Sequence, residues 1–293
     1  MSTENGGLGE QWKQVYAVGF AEGVNREGRE ARREQVDRVV RGWKAQGMFK
    51  EVLGGWRDEE YDIYGPPAPS PAPAPAPSST TAESSKANSS PSPRSNVAFS
   101  MERSACALFG VATFGVHMTA YIEEEGQPLK FWVPRRSATK QTWPSYLDNT
   151  VAGGISAGST PYSTILREAI EEASLPPSFV ASRIHGSSVL VYNYRTADGW
   201  LQPEVQYVYD LRMDAPREGT VRPGVNDGEV QEFMLMDLGE VVDRMVKGEF
   251  KPNCAIVLLD FFLRHGYLTP ENDSRFLEVA MRLRRTLALP GPA

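Results

Sequence analysis

Apolar residues recur in two rhythms along this chain. Between positions 27 and 53, Val36, Val39, Val40, Trp43 and Phe49 return at helical spacing, with Arg and Glu filling the positions between them. After position 97 the rhythm shortens. Runs rich in Val, Tyr and Phe at 108–122, 129–134, 189–194, 205–213 and 232–236 predict strands. Amphipathic stretches at 161–173, 238–247, 254–265 and 274–287 predict helices. Strands and helices mixed in this order predict an α/β sandwich built on a mixed sheet. One tract has neither rhythm. Residues 65–96 are rich in Pro, Ala and Ser with no aromatic and no large aliphatic side chain, so they cannot bury a core and are expected to be disordered. The pattern therefore divides the chain into a mostly helical N-terminal extension (1–64), a Pro/Ala/Ser-rich linker (65–98) and one domain of ordinary size (99–293).

Composition narrows the class. The 293 residues carry 31 basic and 37 acidic side chains, a net charge of -6, which disfavours general nucleic-acid or membrane-surface binding. Two cysteines, Cys106 and Cys254, make neither a disulfide framework nor a cysteine-zinc site and read as buried thiols. No apolar run approaches the roughly 20 residues of a membrane span. The first residues lack a targeting pattern, so a cytoplasmic location is expected. His117, His185 and His265 are dispersed and read as structural.

The chemistry concentrates in 149–176. Gly153 and Gly154 read as a flexible turn, Ser159 or Thr160 as a helix cap, and Pro161 as the first helical residue. On that helix Glu168, Glu171 and Glu172 fall within an arc of about 100°. Clustered carboxylates repel one another unless a divalent cation neutralises them, and oxygen-only ligands favour Mg²⁺, or Mn²⁺, over zinc. Upstream, Arg135, Arg136 and Lys140 are placed to bind diphosphate oxygens, a solvated basic loop being the alternative. Downstream, Glu229, with Asp227 behind it, is the candidate for a further carboxylate, a surface turn being its alternative. Trp132, Trp143, Tyr192, Tyr194 and Tyr207 are candidates to stack on a heterocycle, although strand aromatics usually belong to the core.

The run from Gly153 through Arg167, Glu168, Glu171 and Glu172 to Leu175 resembles the Nudix box, G-x5-E-x7-R-E-U-x-E-E-x-G-U, where U is bulky and aliphatic. Ser159, Ala169 and Ser174 depart from it at the first Glu, the first U and the last Gly. In the box the first Glu braces the Arg, so the resemblance implies that Arg167 loses a partner while the metal-binding glutamates remain. The stretches WVPRRSATKQTWPSYLDNTVAGGI, DGEVQEFMLMDLGEV and FKPNCAIVLLDFFLRHG, together with GWRDEEYDIYG ahead of the linker, resemble the thiamine-pyrophosphokinase-related Nudix subgroup of fungi and plants.

That resemblance implies a Nudix α/β/α sandwich with Glu168, Glu171 and Glu172 as Mg²⁺ ligands, and Glu171, Glu172 or Glu229 orienting the attacking water. Gly153, Gly154 and the three cations would contact the substrate. It further implies hydrolysis of thiamine diphosphate, or of its damaged oxo and oxy analogues, to the monophosphate. No kinase unit is expected after Ala293. Other diphosphates of nucleoside or isoprenoid type, and a catalytically weak ligand-sensing domain, stay open. The RRSATK segment is also similar to isopentenyl diphosphate isomerase, but that enzyme needs a Cys that this chain lacks between Cys106 and Cys254.

Overall fold

The computed structural model describes residues 18–67, 96–196, 198–226 and 228–293. Most of the expected linker, and Asp227, lie outside them. The N-terminal part contributes α1 (Glu22–Glu27), α2 (Arg29–Ala45), α3 (Lys50–Leu53) and then β1 (Glu60–Tyr64). Beyond the linker follow β2 (Val97–Glu102), α4 (Cys106–Phe109), β3 (Thr113–Ile122), β4 (Lys130–Arg136) and β5 (Val151–Gly154). The rest of the chain forms α5 (Pro161–Glu171), α6 (Pro177–Arg183), β6 (Ile184–Arg195), β7 (Leu201–Arg212), β8 (Val230–Asp237), α7 (Leu238–Val246), α8 (Pro252–Arg264) and α9 (Phe276–Leu283).

The main sheet runs β6-β7-β3-β4-β8, with β5 also pairing on β3. β3 and β7 are parallel and the other pairs antiparallel, so the sheet is mixed. Strand alternation sends Phe114, Val116, Met118 and Ala120 of β3 to the face covered by α5 and α6 through Ile165, Ala169 and Val180. Phe131 and Val133 of β4 go to the other face, where Val241 of α7 and Leu258 and Phe261 of α8 meet them. The result is a sheet between two helical layers. Burying each such large side chain contributes about 1.5–3 kcal/mol.

The expected strand at 108–122 starts later, because Leu108 and Phe109 complete α4 and Gly110 ends it in a left-handed conformation. Gly153 and Gly154 form strand β5, not the turn expected from their freedom, since they pair in register with Val116 and Gly115. The N-terminal segment is not purely helical. β1 pairs antiparallel with β2 from the far side of the linker. Val36, Val40, Leu53, Tyr61 and Ile63 then share a cluster with Met101 and Cys106.

Candidate active site

Local chemistry aims the box helix. Thr160 caps α5 by accepting the Ser163 N–H at 3.0 Å, and Pro161 occupies its first turn. Ile165 and Ala169 are buried against the sheet, which turns Glu168, Glu171 and Glu172 toward the start of β3. There they line a polar cavity of about 560 Å³ together with Glu229, Lys140, Arg136, Gly153 and Gly154. The two glycines are needed for close approach. A Cβ at Gly153 would overlap the Glu168 carboxyl, and one at Gly154 would overlap the Tyr61 hydroxyl.

The glutamates sit in different surroundings. Glu168 is 13% exposed and Glu171 49%; Arg167 bridges them, donating to Glu168 Oε1 and Glu171 Oε2 at 2.8 Å each. Glu172 Oε2 accepts the Ala152 N–H at 3.0 Å. Burial pushes the Glu168 carboxyl up to about 7, with Glu171, Glu229 and Glu59 adding repulsion against the relief from Arg167. Burial likewise drives Glu172 well above the usual carboxylate range, with Asp148 and Glu168 adding to it. Glu229 is joined to Lys140 by an ion pair.

Arg136 reaches the cavity with most of its fork already engaged. It donates to Asp148 Oδ2 at 2.6 Å, to the Trp143 carbonyl at 3.0 Å and to the Thr142 carbonyl at 2.9 Å. Arg135 is not brought to the cavity. Strand alternation turns it away from Arg136, onto Glu232 Oε1 at 3.2 Å and the Ser145 carbonyl at 3.0 Å. None of the five candidate stacking aromatics lines the cavity either; its rings are Tyr61 and Phe114. Trp132 is buried in the core, and the Tyr192 hydroxyl donates to Glu204 at 2.5 Å.

Several lining residues escaped the sequence reading. Lys251 and His117 stand beside the carboxylates, and Gln202, Glu204 and Gln206 project from alternate positions of β7. Arg57, Glu59 and Arg103 flank the linker. Their chemistry was visible, but their placement depends on β1 and β2 pairing across a tract with no hydrophobic signal.

His117 of the lining, with Asp148 and Cys254, brings ligand-type atoms within 4.8 Å of one another, the one such trio among the described residues. The Cys254 thiol donates to Asp148 Oδ1 at 2.7 Å, and His117 Nδ1 meets Asn149 Oδ1 at 2.8 Å. Burial would raise Asp148, yet Lys251 and Arg136 hold it below the usual carboxylate range. Burial and Lys251 push His117 down to about 4. A carboxylate already neutralised by two cations suits a divalent ion poorly. The partly buried glutamates, oxygen donors with raised proton affinity, suit one well.

Residues 113–254 match the NUDIX domain family, and the box helix at the cavity lies within the matched residues. An uncharacterized protein of Saccharomyces cerevisiae is 41% identical over 201 residues, covering 65% of this chain and 58% of that one. Nudix hydrolase 20, chloroplastic, of Arabidopsis thaliana is 36% identical over 190 residues, covering 64% of this chain and 48% of that protein. A crystal structure of a Deinococcus radiodurans protein superposes with TM-score 0.35 and 22% identity, covering 50% of this chain and 80% of that one. This chain thus spans about half the length of the curated relatives it matches. No described helix is long and apolar enough to cross a membrane.

Proposed function

We propose that this protein is a Nudix-type diphosphate hydrolase that depends on Mg²⁺, or Mn²⁺, and acts on thiamine diphosphate or its oxo and oxy analogues. The observation that carries the reading is one cavity joining the carboxylates Glu168, Glu171, Glu172 and Glu229 to the cations Lys140, Lys251 and Arg103. Anionic diphosphate oxygens need those cations, and a bound divalent ion needs those carboxylates.

Glu168, Glu171 and Glu172 would hold the ion, which would polarise phosphoryl oxygens and lower the pKa of a bound water. Lys140 and Lys251 would bind and orient the diphosphate. Glu229, whose ion pair with Lys140 would give way when a phosphate takes that ammonium, would orient the attacking water. Gln202, Glu204 and Gln206 offer donors and acceptors to a polar heterocycle, which supports an aminopyrimidine-bearing substrate over an isoprenoid tail. Isomerase-type thiol chemistry has no support. Burial raises the Cys254 thiol well above its ordinary value, its S–H is donated to Asp148, and it does not line the cavity.

The test is turnover of thiamine, oxothiamine and oxythiamine diphosphates, ADP-ribose and isopentenyl diphosphate, read by product mass with Mg²⁺ present. Monophosphate from the thiamine set, lost in Glu171→Gln, is expected. Turnover of ADP-ribose alone would retain the hydrolase and remove the substrate. Silence on all five, with ligand still bound, would favour a sensing domain.

A further inference from the structure

Arg167 poses a problem for a site that must bind a cation. Its guanidinium sits on Glu168 Oε1 and Glu171 Oε2, the oxygens a divalent ion would need. Two cations competing for one pair of carboxylates repel, so loading requires Arg167 to move to another anion. The loop ahead of α5 offers none, since its residues at 155–160 are Ile, Ser, Ala, Gly, Ser and Thr.

An alternative comes from outside the NUDIX match. Glu59, just before β1, is held on two sides: Ser156 donates to its Oε1 at 2.6 Å and Arg103 to its Oε2 at 2.5 Å. The same segment clamps the loop twice more. The Ala157 N–H donates to the Glu60 carbonyl at 2.7 Å, and the Gly158 N–H to Asp62 Oδ2 at 3.0 Å. Glu59 and Arg167 line the same cavity.

On the reading of the cavity as a metal-dependent site, we propose that Glu59 is a positioning residue. It receives Arg167 when the ion binds and so frees Glu168 and Glu171 to ligate. The mutual fields agree with this placement. Burial would raise Glu59, but Arg103, the Ser156 hydroxyl and Arg167 hold it below its ordinary value. Glu59 in turn adds to the repulsion felt by Glu168. The segment ahead of the linker then belongs to the reaction centre and is not an appendage to it.

The experiment is a double-mutant cycle on the full chain, read by Mn²⁺ affinity in electron paramagnetic resonance without substrate, with kcat and KM measured alongside. Glu59→Gln is expected to weaken Mn²⁺ binding about fivefold or more and to lower kcat with KM nearly unchanged. In an Arg167→Ala background the same substitution is expected to change affinity less than about twofold, because nothing needs to be received. Arg167→Ala alone removes the competitor and is expected to tighten Mn²⁺ binding. Ser156→Ala, which loosens the loop but keeps the charge, is expected to stay within about twofold of wild type.

Equal weakening by Glu59→Gln in both backgrounds would overturn the proposal, leaving Glu59 a loop clamp. If Glu59→Gln does not fold, weaker Mn²⁺ binding in Arg167→Ala overturns it as well. Wild-type Mn²⁺ binding without turnover would remove the hydrolase but leave the cycle readable. Turnover with an additive cycle would remove only the role of Glu59. No Mn²⁺ binding by wild type would remove both.

Discussion

Two groups of partly or fully buried carboxylates stand on either side of β5, and they carry opposite electrostatics. Asp148 lies among cations, paired with Arg136 and near Lys251, and stays ionised below the usual range. Burial pushes Glu168 and Glu172 up, with neighbouring carboxylates adding to it against the relief that Arg167 gives Glu168. The same residue chemistry is therefore satisfied by cations in one place and, on the proposed function, a cation site in the other. Burial raises both groups; Lys251 and Arg136 overcome it at Asp148, while Arg167 does not overcome it at Glu168.

The largest expected effect breaks the frustrated side. Glu171→Gln, at the exposed end of the cluster, should reduce Mg²⁺-supported turnover by about 10³-fold while leaving the urea midpoint nearly unchanged. The next breaks the satisfied side. Asp148→Asn strands Arg136 and a nearby ammonium, and should lower unfolding free energy by about 3–5 kcal/mol in urea denaturation.

A third prediction separates the groups by pH. The folded-state pKa of Glu168, about 7, lies above its ordinary 4.5, so the folded chain binds that proton more tightly than the unfolded chain. In EDTA, stability contributed by this group is present below about 4.5 and lost as pH rises to about 7, and Glu172 acts in the same direction. The loss should be about 3 kcal/mol from Glu168 alone. Mg²⁺ at pH 8 should restore the urea midpoint. Asp148, held low, contributes the opposite slope only in acid.

The smallest effect concerns the end of the box helix. Ser174 occupies a left-handed conformation at φ 52, where glycine is favoured. Ser174→Gly should stabilise by about 0.5–1 kcal/mol, raising Tm by roughly 1–4 °C with kcat unchanged.

Legibility in the sequence followed the range of the interaction. The box helix was readable because capping, apolar face and acidic face are all set within 15 residues, 160–174. The sandwich was readable because strand and helix periods are local. Arg135 and Arg136 could not be separated by residue type; strand alternation on β4 separates them. Gly153 and Gly154 suggested a turn because glycine carries no side-chain pattern, while their pairing with β3 is tertiary. Glu59 and Arg103 were out of reach for the same reason. β1 meets β2 across residues 65–96, and nothing local foretells that pairing or its contact with Ser156.

The most direct test of the central claim is turnover of oxothiamine diphosphate in ¹⁸O-water with Mg²⁺, followed by mass spectrometry of both products. The account predicts one ¹⁸O in a phosphate product, with incorporation lost in EDTA and in Glu171→Gln. Turnover that persists in Glu171→Gln, or ¹⁸O-free products, would contradict it.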